Sequence, residues 1–236
     1  MSKVVHRASE RGVGQYGWLT TRYSFSFADW FEPSRMGFRK LRVINDDIVA
    51  PASGFGEHSH CDMEIITIVM KGAVTHRDSV GGEGIVRAGE VQVMSAGSGV
   101  THSEYNKSKT EPLELFQSWI ETMDRGITPR YGQRSFSECQ DNNKLQYLVS
   151  PDVENLDGTL TIAQDAYIAR ANLAGENLRY VVKHQNNGVY IFIIDGEAEV
   201  LGETLGKRDA IGVTKTDEIV ISTKKEGSVL IIEVSA

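Results

Sequence analysis

Two short stretches hold four side chains well suited to bind a transition metal. His58 and His60, separated by Ser59, follow the glycine turn Gly54-Phe55-Gly56; His102 and Glu104, separated by Ser103, follow Gly97-Ser98-Gly99. On an extended strand side chains alternate, so residues two apart share a face. Each pair therefore presents its two donors together, and the pairs jointly offer three imidazoles and a carboxylate. That donor set suits iron, nickel, copper, manganese or zinc. A single His-x-His serves surface or packing more often than a metal. Recurrence of the spacing after a second glycine turn is what favours ligation.

Three neutral histidines and one carboxylate leave one or two positions open on a six-coordinate metal, enough for a substrate beside dioxygen, whereas structural zinc is closed at four ligands. His76, near the far end of the next strand, reads either as an orienter of a ligand histidine or as an ordinary polar contact. His6 and His184 read as structural or solvent-facing. Phe25, Phe27, Phe38, Phe55 and Phe116 are available to line an apolar mouth, although any one of them serves equally well for packing. Ser98 and Ser103 lack the base partner of a nucleophile elbow, so covalent catalysis is not indicated. The segment Gly12-Val13-Gly14-Gln15-Tyr16-Gly17 contains neither GxGxxG nor GK[ST] and leads into no helical pattern, which argues against a phosphate cradle.

The elements that must position these groups are strands. Residues 23–27 and 38–44 alternate apolar with small or polar, and Asn45-Asp46-Asp47 reads as the turn closing the second. From residue 64 onward short β-branched runs (65–70, 73–78, 85–87, 90–94, 113–121) alternate with glycine turns, the pattern of an antiparallel sandwich or barrel. The second half repeats the style from residue 145 to 234. A helical period is scarce; residues 136–143 could hold one short helix. Aligning Gly72 with Gly196 sets His184 opposite His60 and Val182 opposite His58, so the second half reads as a copy of the first without a complete site.

The 236 residues are 40% hydrophobic and 24% charged, with 23 glycines and 5 prolines, as expected of a globular protein with many tight turns. A net charge of −7 argues against nonspecific nucleic-acid binding, which depends on a basic face. Cys61 and Cys139 form no disulfide framework. The first twelve residues carry no apolar signal region, and no run is long enough to span a bilayer. A cytoplasmic protein is expected.

Several longer motifs accompany the ligand pairs: Ser24-Phe25-Ser26-Phe27-Ala28, Met36-Gly37-Phe38, Leu41-Arg42-Val43-Ile44-Asn45-Asp46-Asp47, Gly54-Phe55-Gly56-x-His58-x-His60-x-x-Met63-Glu64-Ile65, His76-x-Asp78-Ser79-x-Gly81 and Met94-Ser95-Ala96-Gly97-x-Gly99-x-x-His102-Ser103-Glu104-x-Asn106. Together they resemble the pirin family, a branch of the two-domain cupins; the second half resembles it in pattern only. The resemblance implies an all-β bicupin of two stacked antiparallel jelly-roll barrels with few short helices. Residues 1–132 would form the metal-binding barrel and residues 133–236 a degenerate one without a complete metal site. It implies one divalent metal, Fe(II) first with Ni, Cu, Co, Mn or Zn as alternatives, held by His58, His60, His102 and Glu104. Ser59 and Cys61 depart from the residues many members carry there, though neither is a ligand position. The general cupin pattern would draw its carboxylate from Glu64; the pirin pattern uses Glu104 and leaves Glu64 beside the ligands. Similarity to bacterial quercetin 2,3-dioxygenases implies an oxidoreductase that opens the central ring of a flavonol with dioxygen and releases carbon monoxide. Glu104 would be the catalytic residue, as fourth ligand or as base for the 3-hydroxyl. Some members are regulators, so the alternative is a redox-sensing module acting through a protein partner. A monomer is implied, with no membrane and no direct nucleic-acid contact.

Overall fold

The computed structural model describes residues 1–136 and 141–236. β-branched and aromatic runs between glycine turns form 22 strands, numbered in chain order, and one 3₁₀ turn at Ala8–Glu10 among the described residues. One seven-stranded sheet runs β12 (Arg130–Ser135), β9 (Glu90–Ser95), β6 (Met63–Lys71), β11 (Leu113–Glu121), β4 (Leu41–Val49), β3 (Leu19–Tyr23), β2 (Gly12–Gln15). It is faced by a four-stranded sheet of β5 (Gly54–His60), β10 (Val100–Asn106), β7 (Ala73–Asp78) and β8 (Glu83–Arg87). The second half repeats this plan. Its seven-stranded sheet runs β1 (Ser2–His6), β20 (Ala210–Thr214), β17 (Gly188–Asp195), β22 (Glu226–Val234), β15 (Ala166–Ala174), β13 (Gln146–Pro151), β14 (Leu160–Ile162). The facing sheet is β16 (Leu178–Val181), β21 (Glu218–Ser222), β18 (Glu197–Val200), β19 (Glu203–Gly206). The fold is a bicupin of two jelly rolls, each an unclosed pair of sheets.

Period-two alternation sorts the core into layers. On β6, Ile66 and Ile68 join Ile44, Phe116, Ile168, Phe192 and Ile232 in an apolar layer between the two large sheets, while Ile65, Thr67 and Val69 point into the first jelly roll. The interior of the second jelly roll is mostly apolar, filled by residues such as Tyr180, Ile191, Val200, Ile219 and Ile231, with one buried carboxylate, Glu233, accepting the Tyr180 hydroxyl at 2.7 Å. That of the first is not. Its apolar clusters, around Val69 and Leu115 on one side and around Ile65, Met94 and Val100 on the other, flank a transverse row in which Tyr23, Asn45, Gln117, Thr67, Gln92 and Gln133 are successive cross-strand partners.

Two local expectations are corrected. Asn45-Asp46-Asp47 is no turn but the middle of β4: Asn45 and Asp47 are buried, and Asp46 is paired with Arg11 at 3.4 Å and Arg208 at 2.8 Å. Residues 23–27 leave the ladder after Tyr23. The backbone N–H of Ser24 donates to Ile44 and that of Ser26 to Arg35, and Phe27 and Trp30 exchange backbone bonds around Ala28, whose φ is +49°. Of the short helix considered over 136–143, residues 137–140 lie outside the described residues; Phe136 and Asp141–Asn143 are not helical, and Asn142 bridges to Asn172. Residue 132 lies within β12, and β1 pairs with β20, so the first strand of the chain completes the sheet of the second half. No helix among the described residues is long and apolar enough to cross a membrane.

Candidate metal centre

The three histidines meet because of how β5 and β10 are registered. The strands pair antiparallel with His58 directly opposite His102, and His60 lies two residues along the same face. Ring centroids are 4.4 Å apart for His58 and His102, 4.8 Å for His58 and His60, and 4.9 Å for His60 and His102. One ligand atom from each lies within 4.8 Å of the others. The Nδ1–H of His58 donates to the Gly56 carbonyl at 2.8 Å, which leaves its Nε2 bare. Nε2 of His102 is buried without a hydrogen-bond partner, a costly arrangement unless that nitrogen has a ligand's work to do. Burial, then the neighbouring His102 and His58, pushes His60 down to about 4; burial, then His58 and His76, pushes His102 down to about 3. Both rings are therefore neutral at neutral pH, the form that binds a metal. The residues present fit a divalent cation.

Glu104 reaches the same interior from β10, past a register shift between His102 and Glu104. Its Oε2 accepts the Nε2–H of Gln117 at 2.8 Å; its Oε1 has longer contacts, to Gln92 Nε2 at 3.4 Å and Thr67 Oγ1 at 3.5 Å. The carboxylate thus rests on the transverse polar row. It groups with His102 and His76, again within 4.8 Å, so His102 is common to both clusters. Glu64 is elsewhere. It sits on the Ile66 face of β6, pointing away from the histidines, and accepts the Ser95 hydroxyl at 2.6 Å. Both carboxylates follow a strand parity, and Glu64 has the wrong one.

A family model described as Pirin matches residues 5–120, and one described as Quercetinase C-terminal cupin domain matches residues 147–234. The chain is 41% identical over 230 residues, 97% of each chain, to quercetin 2,3-dioxygenase of Escherichia coli strain K12. It belongs to the pirin family. A pirin-like protein of Caulobacter vibrioides is 39% identical over 223 residues, 94% of this chain and 95% of that one. The crystal structure of bacterial pirin YhhW in complex with nickel(II) from Escherichia coli matches with a TM-score of 0.92 at 39% identity, covering 99% of each chain.

In this pirin the phenylalanines divide. Phe25, Phe38 and Phe116 belong to the layer between the large sheets and cannot line a mouth. Phe55 packs edge-on against Trp18 at 5.0 Å and lies 6.3 Å from His58. Phe27 alone of the five borders a groove of about 330 Å³, shared with Trp30, Phe31, Met36, Met63 and Trp119. Trp119 joins that groove to the histidines: its ring is edge-on to His60 at 4.8 Å and to Phe27 at 5.2 Å. The sequence reading missed it, although Leu113, Leu115, Gln117 and Trp119 share one parity of β11. His6 is buried against the Tyr190 hydroxyl at 2.9 Å, and His184 bonds Glu154 and Asp165 in the second half. Among the described residues both metal-competent groups lie in the first half.

Proposed function

We propose that this pirin is a metal-dependent flavonol 2,3-dioxygenase of the quercetinase type. His58, His60 and His102 would hold one divalent metal with Glu104 as fourth ligand; Fe(II) is the first candidate, and Ni, Cu, Co, Mn and Zn are compatible with the same donors. The observation that carries the reading is the convergence of the three imidazoles, with the buried Nε2 of His102 left without a protein partner. The name of the Escherichia coli relative supports it. When bound, the metal supplies a Lewis-acid centre at which substrate and dioxygen can be brought together.

The chain's own residues supply binding and proton transfer. The groove, about 330 Å³, is at the small end of ligand pockets, roughly 300–1,000 Å³, and its aromatic lining of Phe27, Trp30, Phe31 and Trp119 suits a flat aromatic molecule. Trp119 and Phe27 offer ring edges and faces to such a substrate, and Trp119 abuts His60. Gln117 pins Oε2 of Glu104, so Oε1, with only contacts of 3.4 and 3.5 Å, is the atom that takes the proton of the flavonol 3-hydroxyl. In the balanced reaction both atoms of dioxygen enter the ring-opened ester, and carbon 3 leaves with its oxygen as carbon monoxide.

The test is dioxygen uptake and carbon monoxide release with quercetin, on protein of measured metal content, beside His58→Ala and Glu104→Gln. Metal-dependent uptake, lost in His58→Ala, is expected. Full turnover by metal-loaded Glu104→Gln would remove the base. No uptake with iron, nickel, copper, cobalt or manganese in place would overturn the enzyme and leave the redox-sensing module with a protein partner.

A further inference from the structure

We infer that Asp78 and His76, neither of them a donor in the metal reading proposed above, set the tautomer of His102 and so decide which of its nitrogens faces the metal. The inference rests on the metal reading above. His102 lies between two strands: opposite His58 on β5 and opposite Asp78 on β7. Nδ1 of His102 is 3.4 Å from Nδ1 of His76, and Nε2 of His76 is 2.9 Å from Oδ2 of Asp78. The side chains of His76 and Asp78 are wholly buried, and the His76 ring is stacked on Tyr131 at 4.8 Å with an interplanar angle of 27°.

Donor and acceptor roles then follow in one direction. Oδ1 of Asp78 accepts the backbone N–H of Val80 at 3.0 Å and of Gly82 at 2.7 Å, which marks the group as an acceptor at both oxygens. His76 must therefore carry its proton on Nε2 and donate it to Oδ2. A neutral His76 keeps a bare Nδ1, which also accepts the Nε2–H of Gln92 at 3.4 Å. Facing that lone pair, His102 places its proton on Nδ1. Its Nε2 is then bare and points into the cluster where no protein group meets it. His58 reaches the same state by donating to the Gly56 carbonyl, so two ligands are oriented by two different devices. The turn that wraps Asp78 needs glycine at 82, because a Cβ there would run into the carboxylate.

The direction of the array can be reversed by an isosteric change. In Asp78→Asn the two backbone N–H groups retain Oδ1, which turns the amide Nδ2 toward His76. His76 must then accept at Nε2 and donate from Nδ1, and His102 is driven to carry its proton on Nε2. The tautomer is read by long-range ¹⁵N–¹H correlation spectra of histidine-labelled, metal-free protein. Wild type is expected as the Nδ1–H form of His102 and Asp78→Asn as the Nε2–H form. Affinity for Fe(II) or Ni(II), measured by chelator competition, is expected to fall about 10–100-fold in Asp78→Asn and in His76→Leu. His76→Gln, whose Oε1 can accept from His102, restores part of the loss seen with leucine. An Nε2–H His102 in the wild type overturns the inference without any variant, as does a folded Asp78→Asn with unchanged tautomer and affinity. The correct tautomer in a wild type that binds neither metal would instead overturn the ligand assignment.

Discussion

Gln117 donates its Nε2–H to Oε2 of Glu104 at 2.8 Å, and its own Oε1 accepts the indole N–H of Trp119 at 3.0 Å. One buried amide thus ties the carboxylate of the candidate centre to the wall of the groove that Trp119 shares with Phe27. Whatever moves Trp119 is felt at Glu104.

Gln117→Leu cuts this tie at nearly constant volume. Flavonol kcat is expected to fall about 10–100-fold, as for other residues that orient a ligand, with a smaller loss of bound metal. The Trp119 indole loses its acceptor, so tryptophan emission should change in the same variant. Steady-state kinetics, metal analysis and fluorescence check the three together.

Gly54 starts β5 against the backbone of β10. A Cβ there would collide with the Glu104 carbonyl oxygen and the Tyr105 Cα, whereas a Cβ at Gly56 would come no closer than 3.8 Å to the Tyr105 hydroxyl. Gly54→Ala should push the strand of His58 and His60 off its partner, costing about 1–3 kcal/mol of stability and lowering metal content. Gly56→Ala should do neither. Thermal melts and metal analysis distinguish them.

Asp47 is buried in the first jelly roll with Oδ1 lacking a hydrogen-bond partner. Burial, reinforced by Asp46 and Glu104, pushes it up to about 7. Its unfolded value is about 3.9. The folded state therefore holds this proton more tightly, and the contribution of Asp47 to stability declines as pH rises from about 4 through 7. Asp47→Asn should raise Tm most above pH 7, with the gain shrinking toward pH 4. Melts of metal-free protein across that range measure it.

His6 has the opposite sign. Burial, then Arg35, pushes it down to about 4, below an unfolded value of about 6.5. The unfolded state binds the proton first, so the contribution of His6 is intact above pH 6.5 and is lost as pH falls toward 4. His60 and His102 act in the same sense. His6→Gln should make the fall in Tm between pH 6.5 and 4 shallower without abolishing it.

That each donor pair shares one face was legible because spacing on a strand is local information: two residues apart means one face. The all-β plan was legible for the same reason. The environment of those pairs was not. Asn45 and Asp47 look like a turn until the cross-strand neighbours Gln117 and Thr21 are known, since polar residues inside a strand depend on partners far along the chain. Phe25 and Phe116 could not be told from groove residues because a phenylalanine reads alike on either side of a sheet. Glu64 shows the limit most plainly. The family pattern implied a place beside the ligands, but the backbone turns at Asp62, with φ +49°, and a new strand begins with its own parity.

The strand exchange at the start of the chain makes the second half a clasp. Because residues 2–6 lie along β20, a segment synthesised before any ligand is anchored by residues more than two hundred positions later. A cut between the halves would not yield two intact modules: the fragment with the histidines would carry a homeless strand, and the other would show a raw edge. The metal half is therefore not a portable cassette, and transplanting it into another protein would require a new covering for β20 or a shortened beginning.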